Sequence, residues 1–116
     1  MDNNYLESLF ALPGKVAVVT GGGGVLCRAM CQALARAGAK VAVLDLLEPA
    51  ASKVAEEIVA AGGEAMAVPV DVLDKASVQA AGEAVRARFG RVDILINGAG
   101  GNKPQATTSP DRKSVV

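Results

Sequence analysis

The sequence predicts an α/β fold in which a doubly wound parallel sheet of about four strands carries three helices. Short apolar runs alternate with longer amphipathic segments along most of the chain, in the order β-α-β-α-β-α-β. The connections between them are short, so each helix should link two parallel strands through a right-handed crossover. In a doubly wound sheet this connectivity gives the strand order 3-2-1-4 and a ligand crevice at the carboxyl ends of strands 1 and 4.

Length and composition limit the possible classes of function. The chain has 116 residues, enough for one small domain, and it is 51% apolar and 21% charged, as globular proteins are. Twelve basic and twelve acidic side chains cancel, which argues against nucleic acid or an anionic membrane as a partner. No apolar stretch is long enough to span a membrane, and the acidic N-terminus does not resemble a secretory signal. We therefore expect a cytoplasmic protein.

The first strand and the helix after it have the clearest pattern. Residues 1–14 are predicted to form an irregular lead-in that ends in the turn residues Pro13-Gly14. A continuous apolar run follows from Val16 to Val19, mostly β-branched, as in a strand that is buried on both faces. Thr20 and four glycines separate this run from a helical pattern that extends from Val25 to about Ala37.

The remaining elements continue the same alternation. The predicted strands run from Val41 to Leu44, from Ala65 to Val70 and from Val92 to Ile96, and the predicted helices run from Pro49 to about Ala61 and from the N-cap Asp74 to Phe89. The last helix carries an apolar stripe of Val78, Ala81, Val85 and Phe89. We expect the first two helices to cover one face of the sheet and the third helix to cover part of the other. The fourth strand is then an open apolar edge, which predicts a homo-oligomer.

The glycine-rich turn between the first strand and the first helix is the main candidate site. Gly21, Gly22, Gly23 and Gly24 put no Cβ in the way of a ligand, and the first N–H groups of the following helix have no partner within it. A phosphate group is the ligand that suits such a turn best. The strict spacing G-x-G-x-x-G is not met, because Leu26 and Cys27 stand where a further glycine is needed. A tight strand-to-helix turn without a ligand is the alternative interpretation.

Polar residues follow the other predicted strands at the same edge of the sheet, namely Asp45, Asp71 and Asn97. Asp45 stands 24 positions after Gly21, where a carboxylate accepts hydrogen bonds from the ribose hydroxyls of an adenosine. Asp45 would repel the 2′-phosphate that distinguishes NADP from NAD, and no Arg or Lys adjoins it to offset the repulsion. NAD is therefore favoured over NADP. Asp71 and Val72 would lie beside the adenine. The alternatives are a solvated Asp45 and an Asp71 that caps its own turn.

Three segments resemble the N-terminal half of the short-chain dehydrogenase/reductase family: TGGGGVL at 20–26, DV at 71–72 and NGAG at 97–100. That family has a Rossmann-type fold and usually shows T-G-x-x-x-G-x-G, D-V or D-L, and N-N-A-G. The resemblance implies that the glycine turn, together with Val25 and Leu26, binds the pyrophosphate of a nicotinamide dinucleotide and that Asp71 contacts its adenine. It also implies roles for the last segment: Asn97 is structural or lines the cofactor, and Gly98, Ala99 and Gly100 approach the ribose.

The sequence departs from the family pattern at three positions. Val25 and Cys27 stand at the second and third glycine positions of the first motif, and Gly98 replaces the second asparagine of N-N-A-G. Val25 adds bulk where the backbone should approach the phosphate, and the Cβ of Cys27 would hold the helix slightly off the strand. The variants also resemble a fructuronate/mannonate-type branch of the family, which implies a sugar acid as the substrate.

The catalytic residues of the family do not occur in this sequence. The family uses a serine and a Y-x-x-x-K pair, whereas the only tyrosine here, Tyr5, precedes the first strand and has no lysine four positions later. We therefore assign no catalytic residue. We also assign no metal site, because the chain has no histidine and its two cysteines, Cys27 and Cys31, cannot complete an ordinary zinc site.

Together these features predict a partial protein. We expect residues 15–101 to form part of a dinucleotide-binding domain and residues 102–116 to form a loop or disordered tail. The chain would then be the cofactor-binding half of a longer NAD-dependent oxidoreductase, inactive by itself, and only the full-length parent would meet a small-molecule substrate. A non-catalytic module that binds adenine nucleotides and a structural remnant that binds no cofactor are the alternatives.

Overall fold

The computed structural model describes residues 11–98, which form a four-stranded parallel sheet and three helices. Numbered in chain order, the strands lie in the order 3-2-1-4, so the predicted fold class and strand order are confirmed. Residues 1–10 of the predicted lead-in, residues 99–101 and the predicted tail lie outside the described residues. In chain order the elements are β1 (Val16–Thr20), α1 (Val25–Arg36), β2 (Lys40–Asp45), α2 (Glu48–Ala60), β3 (Ala65–Pro69), α3 (Lys75–Phe89) and β4 (Ile94–Asn97).

One face of the sheet is covered by α1 and α2, as the sequence predicts. Val19, Val41 and Val43 are fully buried on this face. The helix residues that form a core cluster with them are Cys27 and Cys31 of α1 and Ala51, Val54, Ala55 and Ile58 of α2. Because parallel strands covered by helices are apolar on both faces, the unbroken apolar runs of β1 and β2 suit this position.

Among residues 11–98, the other face is covered by α3. Ala81, Val85 and Phe89 form a second core cluster with the buried sheet residues Val16, Val18, Ala42 and Leu44. Val78, the first residue of the predicted apolar stripe, is 44% exposed, so it does not join the other three residues in the core cluster. Val78 lies in the first turn of α3 and lines an apolar cleft between that helix and the sheet, so the described residues leave it partly open to solvent.

The start of β4 is fixed to β1 by one carboxylate. Asp93 donates its main-chain N–H to the carbonyl of Val16 over 2.9 Å, and its Oδ2 accepts the main-chain N–H of Val16 over 2.9 Å. Arg91 donates two hydrogen bonds to the other oxygen of the same carboxylate. These contacts align β4 beside β1 and bring Asn97 into register with Thr20 at the carboxyl edge.

The helix ends differ in how they are capped. Asp74 caps α3 as predicted, since its Oδ1 accepts the N–H of Ala76 over 3.0 Å. The same helix ends at Gly90, whose φ of +84° lies in the left-handed region that glycine adopts readily. In contrast, α1 has Gly24 at its N-cap and no side chain that accepts a hydrogen bond there. None of the three helices between residues 11 and 98 combines the length and apolarity needed to cross a membrane.

Candidate functional site

The glycine turn makes a close bend from β1 into α1. Gly21 has a φ of +68°, and Gly24 donates its N–H to the carbonyl of Gly21 over 3.0 Å. Gly22 donates to the carbonyl of Leu44 over 3.0 Å, and a Cβ on Gly22 would lie 2.7 Å from Cγ1 of Val43. The turn therefore lies against β2 so closely that Gly22 leaves no room for a side chain.

Asp45 lies against this turn at the end of β2. Its Oδ2 accepts the N–H of Gly23 over 2.9 Å, and its Oδ1 accepts the N–H of Leu47 over 3.0 Å. A Cβ on Gly23 would lie 2.8 Å from that Oδ2 atom and 2.6 Å from the Cβ of Ala50. The carboxylate thus faces the turn at the edge of the sheet, and each oxygen retains a lone pair that can accept a further donor.

The amide groups that can hold an anion lie in the first turn of α1. The N–H groups of Gly22, Gly23 and Gly24 are already paired with protein oxygens, so these glycines shape the bend. The next N–H groups, of Val25, Leu26 and Cys27, have no acceptor within the helix, and this helix has neither a capping side chain nor an acidic residue in its first turn. Uncapped donors at the positive end of a helix dipole suit a phosphate group, so the chemistry of the turn fits a diphosphate.

Two large apolar side chains stand outside the turn. Val25 is 92% exposed and Leu26 is 73% exposed. Both belong to the first turn of α1, whose N–H groups have no acceptor within the helix. We expect Val25 to add bulk where a phosphate would bind, and the side chain that would do so is exposed. It takes no part in either core cluster of the described residues.

Asp71 and Val72 follow β3 at the same edge. Oδ1 of Asp71 accepts the N–H of Leu73 over 3.0 Å, and the N–H of Asp71 donates to Oγ of Ser77 over 2.9 Å. Asp71 therefore does cap its own turn, which was the alternative interpretation of this residue. Val70, just before it, donates its N–H to the carbonyl of Asp45, which links the ends of β2 and β3.

The end of β4 is bonded to the end of β1. Oγ1 of Thr20 donates to Oδ1 of Asn97 over 2.7 Å, and Gly98 donates its N–H to the carbonyl of Thr20 over 3.1 Å. The structure thus brings the glycine turn, Asp45, Asp71 and Asn97 to one edge of the sheet, as the sequence predicts. Ala99 and Gly100 lie outside the described residues.

A cleft of about 530 Å³ lies between α1 and α2 and is larger than the apolar cleft beside α3. It lies at the edge of the sheet opposite the glycine turn. It is lined by the C-terminal turns of both helices, including Arg36 and Glu57, and by Gly62 just after α2. Glu57 is already paired with Arg28. Helix C-termini present carbonyl groups, which do not attract anions, so size alone does not make this cleft the nucleotide site.

The two cysteines are free and buried beneath the site. Burial, and to a lesser degree the charge of Cys27, raises the pKa of the Cys31 thiol to about 12, so this thiol stays protonated at neutral pH. Within residues 11–98 there is no group of three or more metal-ligating side chains.

Comparison with known proteins decides the family. The family model for short chain dehydrogenases matches residues 15–115. The Uncharacterized oxidoreductase UxuB of Bacillus subtilis is 56% identical over 97 residues, which cover 84% of this chain and 35% of that protein. The chain belongs to the short-chain dehydrogenase family. The resemblance in its three motifs is thereby confirmed.

Solved structures of the short-chain dehydrogenase family have the same fold. A Haemophilus influenzae protein provisionally named a D-mannonate oxidoreductase, with NAD bound, matches with a TM-score of 0.80 and 41% identity over 94% of this chain and 39% of its own. A 3-ketoacyl-(acyl-carrier-protein) reductase from Brucella melitensis, complexed with NADH, matches with a TM-score of 0.69 and 44% identity over 73% of this chain and 34% of its own. The chain spans about a third of the length of the curated relatives it matches.

Two departures from the short-chain dehydrogenase pattern prove to be in contact. A Cβ placed on Gly98 would lie 2.1 Å from Sγ of Cys27. The side chain gained in α1 therefore occupies the space that a side chain on residue 98 would need. The sequence shows both departures but does not connect them, because they fall in two motifs that are 71 positions apart.

Proposed function

We propose that this chain is the dinucleotide-binding part of a short-chain dehydrogenase and that it binds NAD across the carboxyl edge of the sheet. The observation that carries the proposal is the uncapped N-terminus of α1, which directly follows β1 at the point where the strand order reverses. Ligands of doubly wound sheets bind at such a point. The NAD and NADH bound to two similar structures support the choice of cofactor.

The proposed contacts divide the dinucleotide among the strand ends. The N–H groups of the first turn of α1, after the bend formed by Gly21–Gly24, bind the diphosphate. Asp45 accepts the hydroxyls of the adenosine ribose. The adenine lies beside the turn at 71–72, and the segment 97–100 approaches the ribose of the nicotinamide.

Preference for NAD over NADP follows from Asp45. Its carboxylate is held against the turn by Gly23 and Leu47, so it cannot swing away from a bound ribose without breaking two hydrogen bonds. A 2′-phosphate at that ribose would place a second negative charge beside it. No lysine or arginine adjoins Asp45 in the sequence to offset that repulsion.

The reaction belongs to a longer protein. When bound, NAD supplies hydride transfer to or from a carbonyl or hydroxyl carbon. The similarity to a protein provisionally named a D-mannonate oxidoreductase supports a sugar acid as the substrate. We expect the 116-residue chain to be inactive by itself, because its only tyrosine is not part of a Y-x-x-x-K motif. Its cytoplasmic location and homo-oligomeric state also stay predictions.

Calorimetric titration tests the proposal. The 116-residue chain is titrated in turn with NAD, ADP-ribose and NADP, and we expect saturable binding of the first two and about tenfold weaker binding of NADP. Absence of heat and of a thermal shift with all three ligands would support the structural remnant and overturn the proposal. In a further titration with AMP, an affinity equal to that for NAD would favour a module that binds adenine nucleotides.

A further inference from the structure

The contact between Cys27 and Gly98 joins α1 to the end of β4. The Sγ atom of Cys27 lies 2.1 Å from the position of a Cβ on Gly98, and the Cβ of Cys27 lies 3.7 Å from it. Real Cβ atoms do not approach another heavy atom so closely, so any side chain on residue 98 must displace the sulfur or the strand end.

The sulfur is the main reason why residue 98 must be glycine. Among residues 11–98, glycines with positive φ occur at five positions, and Gly98 is not one of them. Its backbone conformation is therefore open to other residues. Apart from the sulfur, the nearest atom to the added Cβ is the carbonyl oxygen of Thr20 at 3.0 Å, a tight contact that a small shift relieves.

The pair lies on one side of the proposed site. Gly98 donates its N–H to Thr20, and Thr20 donates its hydroxyl hydrogen to Asn97, so a shift of residue 98 moves the end of β4. Asp45 lies on β2, on the other side of β1, and its contact with Gly23 does not involve Cys27 or Gly98. A disturbance of the pair therefore affects the β4 half of the edge and spares the β2 half.

We propose that Cys27 and Gly98 are a matched pair that sets the separation between the N-terminus of α1 and the end of β4, and that this separation determines how tightly the nicotinamide half of the dinucleotide is bound. The inference rests on the proposed function, since it assumes that NAD binds at this edge. Cys27 acts through Gly98 and is a positioning residue.

The test compares NAD with AMP, which lacks the nicotinamide half, in four variants of the full chain: Gly98→Ala, Cys27→Ala, Cys27→Ala/Gly98→Ala and Cys31→Ala/Gly98→Ala. In Gly98→Ala we expect NAD to bind about tenfold more weakly and AMP to bind within about twofold of the wild type. The added methyl group fits once the sulfur is removed, so Cys27→Ala/Gly98→Ala should bind NAD within about twofold of the wild type. Cys31→Ala/Gly98→Ala is the matched control: it also removes a buried sulfur from α1 but leaves the clash, so it should not restore NAD binding.

Cys27→Ala alone keeps Gly98 and tests the pair even if Gly98→Ala does not fold. The gap left beside Gly98 should weaken NAD binding about threefold. Alanine keeps the main-chain N–H of residue 27 that we assign to the phosphate, so AMP binding should change by less than about twofold. Equal losses of affinity for NAD and AMP would overturn the inference while the proposed function stands. So would NAD binding that is restored in Cys31→Ala/Gly98→Ala as well as in Cys27→Ala/Gly98→Ala. A wild-type chain that binds neither NAD nor AMP would overturn the proposed function and this inference with it.

Discussion

The Oδ2 atom of Asp45 accepts a hydrogen bond from the main-chain N–H of Gly23 over 2.9 Å, so the acidic end of β2 is bonded directly to the glycine turn. This contact holds a negative charge beside the bend that leads into α1. It also uses the N–H of Gly23, which moves the donors available to an anion forward to the first turn of the helix.

Replacing Asp45 with asparagine should weaken the discrimination between NAD and NADP. The amide oxygen of the substituted side chain can still accept the N–H of Gly23, but the side chain carries no charge to repel a 2′-phosphate. We expect the ratio of the NAD and NADP affinities to fall about tenfold, measured by calorimetry. Asp74→Asn, which removes one charge from the cap of α3, is the control and should leave the ratio unchanged. An unchanged ratio in the Asp45 variant would contradict the assigned role.

Replacing Gly23 with alanine should destabilise the fold. The added methyl group would lie 2.6 Å from the Cβ of Ala50 and 2.8 Å from Oδ2 of Asp45, so the turn must move away from β2 and α2. We expect the free energy of unfolding, measured with urea, to fall by about 1–3 kcal/mol.

Gly82→Ala is the matched control for this prediction. Gly82 lies within α3, and the nearest atoms to an added Cβ belong to the flexible side chain of Arg86 at 3.5 Å. Alanine has the higher helix propensity, so this variant should gain about 0.5–1 kcal/mol of stability. Similar losses in both variants would show that the close approach at Gly23 has no special effect.

The sequence predicts the fold well because the signals involved are local. Continuous apolar runs such as Val16–Val19 mark buried parallel strands, and glycines such as Gly38 and Gly90 mark the ends of helices. The order 3-2-1-4 then follows from short right-handed connections. Boundaries shift by a residue or two: β1 includes Thr20, and β4 begins at Ile94 instead of Val92.

The candidate site is predicted less completely, because its details depend on contacts between distant segments. The ends of all four strands meet at one edge as expected, but nothing local to Asp45 indicates that both of its oxygens accept main-chain N–H groups. The contact of Cys27 with Gly98 likewise requires β4 to lie beside β1. The sequence does not indicate that Val78 is exposed, because a helical stripe does not show where the surface opposite it ends.

Asp93 should contribute to the loss of stability in acid. Hydrogen bonds from Arg91 and from the main-chain N–H of Val16 lower the pKa of this carboxyl in the folded state. A lowered folded-state pKa gives stability that is present above the unfolded value of about 3.9 and is lost as the pH falls through the folded value. In Asp93→Asn, the free energy of unfolding should therefore fall less between about pH 5 and pH 2 than in the wild type. Asp74→Asn, which keeps an N-cap side chain, is the control. Parallel pH profiles of the free energy of unfolding for Asp93→Asn and the wild type would show that Asp93 does not contribute to the loss of stability in acid.

Cys31 should react with iodoacetamide only when the chain unfolds. Its thiol is fully buried, and burial raises its pKa to about 12, so the reactive thiolate is scarce at pH values near 8. We expect labelling of Cys31, followed by mass spectrometry in a Cys27→Ala background, to accelerate as urea lowers the free energy of unfolding. Rapid labelling that does not depend on urea would show that the sulfur is accessible in the folded protein.

The most direct test of the central claim is an NMR titration of the uniformly ¹⁵N-labelled chain with NAD. The account predicts that the largest amide shift changes occur in the turn and the first turn of α1, from Gly22 to Cys27, and at Asp45, with little change in the cleft between the C-terminal turns of α1 and α2. Shift changes that are absent from Gly22 to Cys27 at saturating NAD, or that cluster in that opposite cleft, would contradict it.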